Sequence, residues 1–399
     1  MTRRRQSQAG VTLIEMMVAL VISMVLSIAV MLVLSTFEGR RRTLGSTSDL
    51  DQTGALAMFQ LDRWIRSAGS GLGQGSSFVY GCTLFAARSG HQILPATEPL
   101  PAPFATVDPG SSGVFRLAPV LILPGQTRPG VSGHASDVLV VMTTGNDASQ
   151  VPSPLSVPPT ADHLVTSNLT EFSPGDLLLI ADHHQTAGGG PAACMVSQAS
   201  GSLPTTGTGT TLPLGTDGTY YDASIGSTAI TSLSDDPVVF DLGAPTPSGG
   251  GQPPSFQLIG VGDNNTLYGY DLLQVAGSGA QAQAEGVFEM HAVYGIDSTG
   301  SSDSRIDQWV GAGPTSAYSV AALSDGSAGA KTLLKNIHAV RVALILRTAL
   351  PEKDVVTPNP LTMFTDLSGL AITRALTTAE QHFRYRVVET TIPVRNNGF

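Results

Sequence analysis

Residues 10–34 read Gly10-Val11-Thr12-Leu13-Ile14-Glu15 and then MMVALVISMVLSIAVMLVL, Met16 to Leu34, 19 positions without a charge. At 1.5 Å rise per residue the run spans roughly 28 Å as a helix, close to the thickness of a bilayer's hydrocarbon core. It is too long for the apolar region of an ordinary secretory signal, and no small-x-small cleavage site follows it. The reading is a membrane helix. Upstream stand Arg3, Arg4 and Arg5 with no acid; downstream stand Arg40, Arg41 and Arg42, partly offset by Glu38. The α-amino group adds to the first cluster, so the balance favours a cytoplasmic N-terminus. Glu15 does not fit an apolar segment. A carboxylate on a membrane helix costs about 2.5–3.5 kcal/mol on insertion scales and usually faces a partner; the alternative is an acid near a helix N-terminus, favoured by the dipole.

Outside this segment the 399-residue chain has a different character. Its 21 Lys and Arg against 31 Asp and Glu give a net charge of −10, which argues against a nucleic-acid binder. Two cysteines cannot build a disulfide-dense scaffold or a four-thiolate zinc site. The charge is uneven. Residues 43–399 carry 15 − 29 = −14, so a basic, apolar anchor precedes a distinctly acidic remainder.

The hexapeptide Gly10 to Glu15 ahead of a long apolar run resembles the type III signal of type IV pilins and pseudopilins. The resemblance implies prepilin-peptidase cleavage between Gly10 and Val11, N-methylation of Val11, and a mature chain of 399 − 10 = 389 residues. Val11 stands where the family usually has phenylalanine. The resemblance further implies that Glu15, fifth in the mature chain, pairs with a neighbouring subunit's N-terminal amine during filament assembly.

Proline is absent before Pro95, so the helix is expected to continue past the membrane. Leu50, Ala57, Leu61, Trp64 and Ala68 lie on one helical face and read as a core-facing stripe. Gly39, Gly45 and Gly54 weaken the helix by roughly 1 kcal/mol each relative to Ala. The run Gly69-Ser70-Gly71-Leu72-Gly73 ends it. Beyond residue 75 the pattern becomes short β-type runs: Phe78–Ala86, Val114–Leu123, Asp137–Thr143, Asp176–Ala181, Pro237–Leu242, Phe256–Leu273, Val287–Ile296, Ile337–Arg347 and Phe383–Val394. Gly262-Asp263-Asn264-Asn265 divides one of them into a hairpin. Twelve of the 26 prolines lie between Pro95 and Pro159, which reads as mostly extended loop. The expected fold is α+β, a long N-terminal α-helix with a membrane-spanning first half, packed on a large β-rich, loop-rich head. The expected divisions are a leader at 1–10, the helix at 11–69 with its transmembrane half at about 11–37, and the head at 70–399 with a Pro-rich insertion at about 95–160.

Three late segments resemble PilW-type minor pilins in order and spacing: Val287–Val310, Ile337–Thr348 and Phe383–Asn397. The Gly81-Cys82 pair after the first helix is often seen in that family as well. A periplasmic head would hold Cys82 and Cys194 under oxidising conditions, where a bridge is expected and two buried thiols are the alternative.

Other constellations are weaker. Asp297, Asp303 and Asp307 resemble a calcium loop, but Thr299 and Ser301 occupy positions where acids belong, and a solvated hairpin turn is the better reading. Asp182-His183-His184, with Asp162-His163 upstream, could offer metal ligands, yet adjacent histidines on a strand point to opposite faces. Gly326 to Thr332 lacks the glycines of a phosphate loop, and neither a nucleophile elbow nor a His-Glu-x-x-His helix occurs. No enzyme activity, cofactor or metal is expected.

The resemblance implies a minor type IV pilin that takes part in priming assembly and forms part of the tip complex. Its implied partners are other minor pilins, the major pilin, prepilin peptidase, the inner-membrane assembly platform and a PilY-type tip adhesin. It would lie in the inner membrane before assembly and in the extracellular pilus afterwards. The rival readings are a pseudopilin of a type II secretion system and a membrane-anchored periplasmic binding module or enzyme.

Overall fold

A computed structural model describes residues 10, 12–109, 113–127, 134–145, 151–182, 192–203, 210–216, 218–233, 236–246, 252–274, 278–300 and 305–395, with backbone alone at 36, 38–40, 42–44, 77 and 78. The chain falls into two units, Met1–Asp51 and Gln52–Phe399. The architecture is α+β: one long apolar-led helix and a large β-rich head.

Helix α1 runs unbroken over Leu13–Ser67. Its last turn carries Arg66, paired with Asp62 at 2.7 Å one turn earlier, a favourable placement for a cation at the negative end of the helix dipole. Gly69 then turns the chain with φ +71°, and its N–H reaches the Met142 carbonyl at 2.8 Å. From Gln52 onward the buried face is Gly54, Ala57, Met58, Leu61 and Ile65, followed by Ala68. The expected stripe is therefore corrected at one position. Ile65 enters the core and Trp64 is only half-buried, because the 3.6-residue period carries Leu61 forward to 65 rather than 64. Gly54 also changes meaning: a Cβ there would stand 2.5 Å from Leu346 Cδ1, so glycine permits close approach of the helix.

Three sheets make up most of the head. The first is antiparallel and combines β16 (Val287–Ile296), β17 (Gln308–Val310), β18 (Ile337–Arg347) and β21 (Tyr385–Pro393) in the order β17-β16-β18-β21. All four of its strands fall within the three segments with the PilW resemblance. Strand β18 alternates by twos, pairing Val340, Val342 and Leu344 with Ile392, Thr390 and Val388 of β21. One face gathers Phe288, Val293, Ala343 and Ile345 with Met363, Phe364 and Leu367, beside the hairpin of β19 (Leu361–Met363) and β20 (Ile372–Arg374).

The second sheet has the order β15-β14-β13-β4-β3, formed by β3 (Val120–Thr127), β4 (Ser136–Thr143), β13 (Ser255–Gly262), β14 (Thr266–Asp271) and β15 (Gln281–Glu285). The expected hairpin at 262–265 joins β13 to β14, with Asn264 and Asn265 at φ +63° and +55°, a region asparagine tolerates. Strands β3 and β4 come from the Pro-rich stretch 95–160, and their buried Val, Leu and Ile side chains make that stretch part of the core rather than loop alone.

The third sheet, β2-β1-β8-β7-β12-β5, contains β1 (Thr83–Arg88), β2 (His91–Leu94), β5 (Ser153–Pro154), β7 (Leu177–Ala181), β8 (Ala193–Gln198) and β12 (Val238–Gly243). Its one parallel pair joins β1 to β8. A cluster including Leu178, Ile180, Met195 and Val239 packs on it with Leu164, Leu212 and Ile230. Two small pairs complete the strands, β6 (His163–Val165) with β9 (Thr211–Pro213) and β10 (Ser224–Ile225) with β11 (Thr228–Ala229). The strand expected from Phe78 begins at Thr83 instead, because Ser76–Val79 form a short helix α2 that Gly81 terminates at φ +84°. Short helices α3 (Val320–Leu323) and α4 (Ala328–Lys335) precede β18, capped by Ser319 and Ser327.

Strand β16 joins the first sheet to the second. Its outer edge meets β17 only at Tyr294 to Ile296. Nearer its start, the Met290 and Ala292 N–H groups donate to Ser136 Oγ at 2.9 Å and Asp137 Oδ2 at 3.0 Å, and Ile122 N–H donates to the Tyr294 hydroxyl at 2.6 Å. Side chains of β4 thus satisfy N–H groups of β16, and a side chain of β16 satisfies one of β3, where each would otherwise be buried and unpaired.

Candidate functional site

The N-terminal motif stands at the head of the exposed helix. Thr12 precedes α1 and its Oγ1 accepts the Glu15 N–H at 3.4 Å, the geometry of an N-cap. Glu15 therefore lies in the first helical turn with its side chain exposed. Gly10 is exposed with open space around its Cα, and Val11, the expected other side of the cleavage point, lies outside the described residues, as do Arg3, Arg4 and Arg5. The apolar span covers Leu13–Ser35, 23 residues of mean hydropathy 2.9, none buried. Its hydroxyls are turned inward. Ser23, Ser27 and Ser35 donate to the carbonyls of Leu20, Ser23 and Leu32 at 2.8–2.9 Å, so these polar groups need nothing from a hydrocarbon surrounding. Glu15 remains the one carboxylate at the edge of this surface. A single charge so placed can bind a cationic group on another chain, and that pairing would also fix how the two helices slide past one another.

Cys82 and Cys194 are bonded to each other, with Cα atoms 5.7 Å apart and a sequence separation of 112. The parallel register Leu84↔Cys194 brings them together at the start of β1 and β8. Gly81 sets the approach. Its N–H donates to Leu117 O at 2.8 Å, and a Cβ on it would lie 2.5 Å from Gly326 Cα.

The acidic turn behaves as a turn. Asp297 Oδ1 accepts from Thr299 N at 2.8 Å, Thr299 Oγ1 at 2.7 Å and Gly300 N at 2.9 Å, while Asp307 accepts from Ser298 N at 2.8 Å and Ser298 Oγ at 3.1 Å. These carboxylates close the β16–β17 connection, and Asp303 lies outside the described residues. Asp162 is engaged locally with Thr160 and His163 at 2.9 Å; His183 and His184 lie outside the described residues. Among the described residues no group of His, Cys, Asp and Glu is placed to hold a metal ion.

Sequence reasoning missed a buried chain of charges. Asp137, His291, Glu289, Arg374 and Glu380 follow one another from β4 through β16 to the segment after β20, each no more than 9% exposed. Its links are His291 Nδ1 to Asp137 at 3.7 Å, His291 Nε2 to Glu289 at 3.5 Å, Arg374 Nε to Glu289 at 2.5 Å and Arg374 Nη2 to Glu380 at 2.9 Å. Burial alone would lower the His291 pKa; hydrogen bonds and attraction from the Asp137 and Glu289 carboxylates outweigh it and push the pKa up to about 9. The signal was present in Glu289-Met290-His291, charges at alternate positions of a strand otherwise apolar throughout.

Comparison with protein families places these features. Residues 5–31 match the prokaryotic N-terminal methylation motif, and residues 260–396 match the Type IV Pilus-assembly protein W family. The second match begins in β13 and takes in the whole four-stranded sheet, leaving the six-stranded sheet outside. Neither the curated proteins nor the solved structures gave a match. Both ends of the chain carry the features of a PilW-type pilin with a prepilin motif.

Proposed function

We propose that this PilW-type chain is a minor subunit of a type IV pilus that takes part in priming assembly and forms part of the tip complex. The observation carrying this reading is the Gly10 to Glu15 motif on an exposed 23-residue apolar helix that leads to a head with a PilW region. Prepilin peptidase cuts after Gly10 and methylates Val11. The helix stores the subunit in the inner membrane, N-terminus inside, and later packs among neighbouring helices of the filament, where Glu15 sets axial register by charge pairing. A head of more than 300 residues is too bulky to repeat along a thin filament, which favours few copies near the tip. The assembly platform, other minor pilins, the major pilin and a PilY-type adhesin are its partners. On this reading the chain needs no cofactor and performs no catalysis.

Glu15→Ala tests the mechanism. Processing should proceed normally while incorporation into sheared pili falls; normal copy number and normal piliation would reject the assembly role. N-terminal sequencing of the mature chain should begin at methylated Val11, and a retained leader would favour an anchored periplasmic module. Deletion should abolish twitching. Loss of enzyme secretion instead would assign the chain to a type II secretion pseudopilus.

A further inference from the structure

Where helix α1 ends against β4, the head has an open cleft of about 730 Å³, within the range of small-ligand sites. Its floor is fixed by the structure around it. Gly69 N–H donates to Met142 O at 2.8 Å, Thr144 N–H to Ser70 Oγ at 3.1 Å, and Gly145 N–H to Leu242 O at 2.7 Å.

Five side chains of the lining hold polar atoms that no described residue engages. Trp64 is half-buried, and among the described residues nothing accepts its indole N–H. The Arg63 guanidinium and the Gln252 amide are likewise unengaged. Gln257 donates through Nε2 to Ser255 Oγ at 2.7 Å, which leaves its carbonyl oxygen open. Asp271 Oδ1 is held by the N–H groups of Phe256 and Leu273, both at 3.1 Å, while among the described residues Oδ2 accepts no hydrogen bond. Burial pushes the Asp271 pKa up to about 6, against the pull of those two N–H groups and of Arg88, as expected of a carboxylate partly withdrawn from water.

This set mixes donors (Arg63, Trp64, Gln252) with acceptors (Gln252, Gln257, Asp271). An anionic ligand favours a surplus of donors and positive charge, and a cationic one a surplus of acceptors and negative charge; neither surplus is present here. Hydroxyl groups both donate and accept, and the C–H face of a sugar ring packs on an aromatic surface such as the indole. One cation and one carboxylate leave the cleft without net charge. We propose that this cleft binds a neutral carbohydrate, a short oligosaccharide lying across Trp64 with its hydroxyls on Gln252, Gln257 and Asp271.

The test uses the full chain in a zwitterionic detergent without a sugar headgroup. Trp64 and Trp309 are the only two tryptophans, so a Trp309→Phe background makes Trp64 the reporter. Maltotriose, lactose and N-acetylchitotriose are titrated to about 50 mM, far above the millimolar constants expected of a weak site. At least one should give a saturable change in Trp64 emission, weakened about tenfold by Asp271→Asn. Gln257→Ala, which spares the bonds of Asp271, should weaken it as well. No saturable change with any of the three sugars overturns the proposal. So does a change that neither variant alters, or one given equally by a tetra-alanine peptide, which would mark a peptide groove.

Discussion

Arg374 sets its Nε 2.5 Å from Oε1 of Glu289, and the two side chains are only 4% and 2% exposed. The same guanidinium reaches Glu380 at 2.9 Å and lies over the Phe288 ring at 5.2 Å. A cation at the end of β20 thus neutralises carboxylates that β16 and the turn after β20 carry into the core. Arg374→Met removes the charge but keeps much of the volume, leaving Glu289 and Glu380 buried without it. Breaking such a pair from one side should destabilise the head by about 3–5 kcal/mol in urea unfolding. Adding Glu289→Gln should restore part of that loss. A single-variant effect within about 0.5 kcal/mol, the range of ordinary surface changes, would show that the pair holds nothing together.

His291, next along the chain of charges, predicts how stability follows pH. Burial disfavours its charge, but Asp137 and Glu289 more than compensate, so its folded pKa of about 9 lies above the ordinary 6.5. A pKa raised on folding stabilises fully below the unfolded value and is lost as pH rises through the folded one. The head should therefore be most stabilised by this residue below about pH 6.5 and lose that contribution between 6.5 and 9. A shift of that size is at most roughly 3–4 kcal/mol. Chemical denaturation at pH 6, 7.5 and 9.5 should show the decline, and His291→Gln should flatten it. An equal slope in both proteins would place the pH dependence elsewhere.

The disulfide joins β1 to β8 across 112 residues of sequence. Closing so long a loop restricts the unfolded chain, and the chain-entropy model assigns it about 4–5 kcal/mol. Reduction under mild denaturant, or Cys82→Ala with Cys194→Ala, should lower the unfolding midpoint by a corresponding amount. The loss should fall first on the six-stranded sheet, read by hydrogen exchange at Leu84 and Met195. Unchanged exchange there would mean that the strand pairing stands without the bond.

Legibility in the sequence followed the length and regularity of each element. Strands β16 and β18 could be bounded to the residue because they are long, apolar on at least one face and flanked by Gly286 and Asn336. Strand β8 escaped notice although it is central, since Ala193-Cys194-Met195-Val196-Ser197-Gln198 has no alternation and follows a glycine run. Strand β15, Gln-Ala-Gln-Ala-Glu, is a mostly exposed edge with little apolar signal. The apolar N-terminal helix and its Gly10 to Glu15 motif were legible because their length and composition are local features of the sequence. The charge chain and the cleft were not, because Asp137, His291 and Arg374 meet only through strand order, and Trp64 and Asp271 line one cleft only through the packing of α1 on the head. Trp64 was misplaced by one position, a slip that a stripe of five residues cannot prevent.

Two glycines facing different neighbours should respond unequally to the same methyl group. At Gly81 a Cβ would fall 2.5 Å from Gly326 Cα and 2.8 Å from its nitrogen, backbone atoms that cannot rotate aside. The position also holds φ +84°, which alanine occupies at a cost of about 1–2 kcal/mol. With overpacking of about 1–3 kcal/mol, Gly81→Ala should destabilise the head by roughly 2–5 kcal/mol and slow oxidation of the adjacent Cys82. At Gly54 the new Cβ meets Leu346 Cδ1, the tip of a side chain that can shift, and the helix gains about 1 kcal/mol of propensity. Gly54→Ala should therefore lie within about 1 kcal/mol of the parent. Thermal unfolding of both variants separates the cases. A loss at Gly54 as large as that at Gly81 would show that Leu346 is held as rigidly as backbone, and that helix and sheet tolerate no wider spacing there.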